Sequence, residues 1–184
     1  CTEPSAVTCI TRHYPMLLDD EELERVAAAT CDAATYLWEL HREGRLRLDF
    51  QPVPARILYH AGCHEQAATV IPPAEHLLRL VPGLVVESAD RGCSGMAGTF
   101  GLGRENYRAS LRMGLGLVSA MRGGGIEAGA TGCSACRIQM EQGTTKPAVH
   151  PVKILAKAYG LLEGPAPDGL DNLLSAASGR LTTT

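Results

Sequence analysis

Three times between residues 56 and 136, a short β-forming run gives way to a loop that carries cysteine, and a helix-forming stretch follows. The first run, Arg56-Ile-Leu-Tyr59, stops at His60-Ala-Gly-Cys63-His64. The second, Leu84-Val-Val-Glu87, ends in Asp90-Arg-Gly-Cys93-Ser-Gly-Met-Ala-Gly-Thr-Phe-Gly101. The third and weakest, Ile126 to Ala130, ends in Thr131-Gly-Cys133-Ser-Ala-Cys136. Strands alternating with helices are joined by right-handed crossovers, so the pattern predicts an α/β fold, with three-layer βαβ units around a short parallel sheet. In such sheets ligands gather beyond the carboxyl ends of the strands. The pattern therefore delivers thiols from three distant loops to one edge.

Around this unit the helix signals are conventional. Asp19 and Asp20 mark the start of a helix expected to run to about His41, with Leu23, Val26, Ala27, Ala34, Leu37 and Trp38 along its apolar stripe. Cys31 falls on that face and reads as a small buried hydrophobe. Gly44 ends the helix, and Pro52 and Pro54 mark a connector that divides residues 1–50 from residues 51–160. Further helices are expected from Glu65, broken near Pro72-Pro73 and resumed through Leu80, then over 104–121, shortly after Cys136, and over 151–159. His150 reads as a structural residue at the start of the last. Residues 161–184 are Gly/Pro/Ser-rich and expected to be a flexible tail. Because the chain opens on Cys1 rather than Met, it is expected to be a piece of a longer polypeptide.

Composition removes several function classes. With 184 residues, 45% of them apolar, a core is available without disulfide staples. Seventeen basic and 20 acidic side chains give a net charge of −3, and no run of Lys or Arg interleaves with aromatics. A phosphate-tracking surface is not expected, and so no nucleic-acid partner. No apolar stretch reaches the ~18–20 residues that cross a bilayer. Seven cysteines, an odd number, with one Cys-x-x-Cys pair favour metal binding in a reducing, cytoplasmic compartment over disulfides.

Cys133-x-x-Cys136 is the anchor of the chemistry. Two thiolates at a helix start grip one metal centre, and the helix N-terminus stabilises their negative charge. The pair alone is ambiguous among zinc, iron–sulfur and thiol redox work. Cys63 and Cys93 raise the count to four, which suits a [4Fe-4S] cluster or a four-cysteine zinc site. Dispersal of the four over residues 63–136 favours iron–sulfur. So does the loop after Cys93, whose Gly95, Gly98, Gly101 and Gly103 allow backbone N–H groups to turn toward cluster sulfurs. His60 and His64 flank Cys63 as donors behind the ligands, or equally as capping or core-edge histidines. Gly101-Leu-Gly103 is no dinucleotide fingerprint, because Asn106 stands where a third glycine is needed. No acid/base or nucleophile set is evident, so no catalytic side chain is expected.

Taken together, His60-x-x-Cys63-His64, then Gly92-Cys-Ser-Gly-Met-Ala-Gly-Thr-Phe-Gly101 with Glu105-Asn-Tyr107, then Cys133-x-x-Cys136 with His150-Pro resemble the cysteine-rich CCG domain. That domain occurs in the iron–sulfur subunits of anaerobic glycerol-3-phosphate dehydrogenase and glycolate oxidase, and in the B subunit of heterodisulfide reductase. The resemblance covers roughly residues 59–155 and, more loosely, residues 3–18. It implies that residues 1–50 are the end of a first, degenerate repeat and that residues 51–160 are a complete second one. It further implies an electron-transfer module whose FAD sits on a partner dehydrogenase domain or subunit, acting on a small hydroxy acid or glycerol 3-phosphate. Electrons would leave toward a carrier such as a membrane quinone through other subunits, which allows a position peripheral to the inner face of a membrane. The chain departs from the family at Ser94, where the pattern has a second, adjacent cysteine. That departure implies an ordinary cubane cluster, with Ser94 as a weak ligand or a hydrogen-bond donor. The bland alternative is a structural or partner-binding domain whose four-cysteine site holds zinc or is empty.

Overall fold

The computed structural model describes residues 1–67, 71–89 and 92–162. The expectation for 161–184 therefore lies almost wholly outside the described residues, as do the loop positions Asp90 and Arg91. Helix α1 (Pro4–Thr8) runs into a π-helical turn (Cys9–His13) and α2 (Tyr14–Leu17). Next come α3 (Glu21–Ala29) and α4 (Ala33–Arg42). The single helix expected here is thus two. The Asp20 carboxylate caps α3, and the Asp32 carboxylate accepts from the Ala34 and Thr35 N–H groups to start α4. Cys31 sits in the break between them and is exposed rather than buried. An aspartate in mid-pattern caps a new helix more readily than it continues the old one.

The sheet follows the predicted runs closely. Strand β1 (Ala55–Tyr59) pairs in parallel with β2 (Leu84–Ser88) and with β3 (Ala128–Ala130). A fourth strand, β4 (Ala148–Val149), is additional to the expected runs, since two residues carry no readable period. It pairs with β3, giving the spatial order β2-β1-β3-β4, all parallel. The helices between strands are α5 (Cys63–Gln66), α6 (Pro73–Arg79), α7 (Tyr107–Met113), α8 (Leu115–Met121) and α9 (Ser134–Gly143), and α10 (Pro151–Ala158) follows β4.

Two apolar cores lie on opposite faces of the sheet. One joins Ile57, Tyr59, Val86 and Val149 to Leu77 and Leu78 of α6 and Ile154 and Leu155 of α10. The other joins Leu58 to Leu117 and Met121 of α8 and Met140 of α9. Fully burying each such side chain stabilises the fold by about 1.5–3 kcal/mol. The outcome is the three-layer α/β arrangement. In the order β2-β1-β3-β4, successive connections leave β1 in one direction and then cross to its other side. The crevice where the direction changes lies between the ends of β1 and β3, and it is there that such sheets hold ligands.

The helix expected over 104–121 divides at Gly114, between α7 and α8. The division has a packing cause. A Cβ on Gly114 would stand 2.1 Å from the Ser94 carbonyl oxygen, and one on Gly95 (φ 93°) would stand 2.1 Å from the Ser110 carbonyl oxygen. The two glycines let the Cys93 loop lie backbone to backbone against the α7–α8 junction.

Candidate metal centre

The loops after β1, β2 and β3 meet at Cys136. Cys133 and Cys136 open α9, with Cys136 buried at 6% exposure and Cys133 half-buried. Gly62, at the end of the β1 loop, backs directly onto this pair. A Cβ built on it would lie 3.7 Å from the Cys133 Sγ and 3.8 Å from the Cys136 Sγ. From the third side the buried Ser94 hydroxyl donates to the Cys136 Sγ at 3.2 Å. Ser94, expected as a weak ligand or a hydrogen-bond donor, therefore touches a thiol of the candidate site.

The paired thiols titrate as a unit. The hydrogen bond to Cys136 lowers the pKa of Cys133, helped by the backbone N–H groups of Cys136 and Ala135. The same bond, with burial, raises that of Cys136, so Cys133 gives up its proton more readily than its neighbour. Such a pair is suited to metal ligation, because the thiolate is the ligand form.

Cys63 and Cys93 stand at the rim. Both are exposed. The Cys63 Sγ lies 3.7 Å from the Nδ1 of His64, and the Cys93 Sγ accepts from the Gly95 N–H at 3.3 Å. Cys63 is near enough to Cys136 for its charge to raise the Cys136 pKa. Among the described residues no group of three or more His, Cys, Asp or Glu side chains is drawn together tightly enough to hold one metal ion. Two thiols are thus assembled and two flank them, all just beyond the strand ends at the same sheet edge.

His60 supplies the clearest indication that these residues fit a bound group. It is 1% exposed, and among the described residues neither ring nitrogen has a hydrogen-bond partner. Burial lowers its pKa to about 4, so the imidazole is neutral and keeps one N–H to donate. It follows Tyr59 at the end of β1, where neighbouring strand residues alternate between the two cores. A buried polar group without a partner is costly, and an acceptor such as a cluster sulfide at this edge would satisfy it. His64, by contrast, is exposed beside Cys63.

Two features lie beyond any sequence signal. The Tyr59 hydroxyl donates to Glu65 Oε1 at 2.6 Å, while burial raises the Glu65 carboxyl to about 7. Glu3 accepts from the Ser134 backbone and hydroxyl, both at 2.8 Å. Spacing says nothing of a contact across so much chain. His150 is structural as expected: its Nδ1 accepts from the Val152 N–H at the start of α10.

Residues 57–141 match the family model described as a cysteine-rich domain, CCG. That stretch is similar to the CCG cysteine-rich domain. All four candidate ligands and Ser94 fall inside it. Over 126 residues the chain is 34% identical to the C subunit of anaerobic glycerol-3-phosphate dehydrogenase from Escherichia coli strain K12, and equally to that from strain O157:H7. The aligned part makes up 68% of this chain and 32% of each relative, so the chain spans about a third of the length of the curated relatives it matches. Among the described residues no helix of this chain is long and apolar enough to cross a membrane.

Proposed function

We propose that this chain is an iron–sulfur electron-transfer module of a dehydrogenase. The observation that carries the reading is the meeting of three strand-end loops at Cys136, with Cys133 and Gly62 on one side and the Ser94 hydroxyl on another. The similarity to a dehydrogenase subunit supports the dehydrogenase part.

In finer terms, Cys63, Cys93, Cys133 and Cys136 are the thiolates that would hold a [4Fe-4S] cluster. Such a cluster, when bound, stores and releases single electrons. The protein's part is to fix four thiolates on rigid strand ends, exclude water around Cys136 and set hydrogen bonds toward the sulfurs. The Ser94 hydroxyl, already on the Cys136 sulfur, and the His60 N–H are the donors for that task; His64 covers the exposed side of Cys63. Substrate chemistry belongs to FAD on a partner domain or subunit, with a small hydroxy acid or glycerol 3-phosphate as substrate. Delivery to a membrane quinone through other subunits, from the cytoplasmic side, completes the reading. Residues 1–50 are then the end of one CCG repeat and residues 51–160 a second.

Anaerobic reconstitution of the chain with iron and sulfide tests this. Brown, visible-absorbing protein with a cluster EPR signal on reduction is expected. A colourless chain that instead retains zinc would overturn it.

A further inference from the structure

One contact reaches the Cys133 loop from the far end of the chain. Glu3 Oε2 accepts from the Ser134 N–H and the Ser134 hydroxyl, each at 2.8 Å, and its Oε1 accepts from the Ser5 hydroxyl at 3.1 Å. Pro4 lies against Gly132, where an added Cβ would meet the proline Cδ at 3.5 Å. The Thr2 carbonyl is 2.8 Å from His150 Nε2; because Nδ1 of that ring accepts from Val152, Nε2 is the donor. Residues 132 and 134, immediately before and after Cys133, are therefore held by residues 4 and 3.

The chemistry of the contact is specific. The Ser134 N–H is the first donor of α9 and has no partner within the helix. A carboxylate at a helix N-terminus satisfies it and sits favourably in the helix field. Burial alone would raise the Glu3 carboxyl, but the Ser134 backbone donor and then the two serine hydroxyls outweigh it and bring the pKa below the usual value. Glu3 is consequently charged, and it stands beside the residue that precedes Ser134.

We propose that residues 2–4 clasp the Cys133–Cys136 loop, with Glu3 as the positioning residue that orders the start of α9 and sets a negative charge beside the metal centre. The second half rests on the reading of Cys133 and Cys136 as cluster ligands; the first does not. A fixed negative charge disfavours adding an electron nearby, so Glu3 lowers the reduction potential of a group bound to this loop.

The test uses the full chain with Glu3→Ala, Glu3→Gln and, as a control for lost charge, Glu24→Gln on the exposed side of α3. In the metal-free chain, Glu3→Ala is expected to speed hydrogen exchange at the Ser134 amide and the next α9 amides about tenfold, the scale of a lost helix cap. Exchange in β1 and in the Glu24→Gln variant stays as in the parent. Unchanged exchange at Ser134 overturns the clasp. In the anaerobically reconstituted chain, Glu3→Gln is expected to raise the midpoint potential while Glu24→Gln leaves it in place. A potential that does not move overturns the electrostatic half. Faster exchange in a chain that takes up no iron supports the clasp and defeats the iron–sulfur reading instead.

Discussion

The α9 end of the site and the Cys93 loop hold their cysteines in opposite ways. Cys133 and Cys136 lie at the start of a ten-residue helix whose first residue, Ser134, is tied from outside by Glu3. Cys93 is exposed and, among the described residues, its sulfur accepts from the nearby Gly95 N–H. Yet the backbone beneath Cys93 is no less fixed. Gly95 and Gly114 press it against α7 and α8, Met96 is 1% exposed, and Ser94 is anchored on Cys136. One half of the site therefore orders its thiols and the other orders its backbone, leaving the thiol free. That division suits a centre that must be both held and reached, because a rim thiol lets the bound group lie close to solvent and to a partner.

The sharpest way to break the comparison is to attack the backbone contact. Gly95→Ala places a methyl group where a carbonyl oxygen lies 2.1 Å away, at a positive φ that also strains alanine. Chemical denaturation is expected to show a loss of about 3 kcal/mol or more, or a chain that does not fold. A loss below about 1 kcal/mol would mean that the loop is not held by close packing. Cys93→Ser in the metal-free chain is the counterpart, and its expected effect is near zero, within about 0.5 kcal/mol.

The next effect is set by pH. His60 titrates near 4 when folded, against about 6.5 when free. Between those values the unfolded chain binds the extra proton, so stability rises with pH and is lost as pH falls toward 4, by at most about 1.4 kcal/mol per pH unit. The difference in unfolding free energy between the parent and His60→Gln, followed from pH 7 down to about 4, isolates this slope from that of Glu65. Parallel pH profiles would contradict a buried, neutral His60.

A smaller effect than that of Gly95 is expected at Ser94. Ser94→Ala removes one buried hydrogen bond to Cys136, worth about 1 kcal/mol in denaturation of the metal-free chain. After reconstitution, Ser94→Cys is expected to alter the EPR signal, since residue 94 touches a proposed ligand. An unchanged spectrum at full iron loading would put Ser94 outside the centre.

These two halves also differ in how legible they are in the sequence. Cys133-x-x-Cys136 after a strand and before a helix announces itself, as do the apolar runs of β1 and β2, because both faces of the sheet are covered. The strand-end positions of Cys63 and Cys93 follow from the same alternation. The burial of Ser94 does not, because it depends on Gly114, twenty positions along, admitting the loop. The break at Thr30 to Asp32 is hidden by a continuous apolar stripe, and with it the exposure of Cys31. Two-residue β4 and the Glu3–Ser134 contact have no local signal at all; long-range pairing is decided by the folded shape.

The central claim is that four thiolates at this sheet edge hold an iron–sulfur cluster. Iron and sulfide analysis of the anaerobically reconstituted chain, beside Cys136→Ala prepared identically, tests it most directly. About four irons and four sulfides per parent chain are expected, falling to near zero in the variant. Equal iron in the two proteins, or zinc in place of iron in the parent, would contradict it.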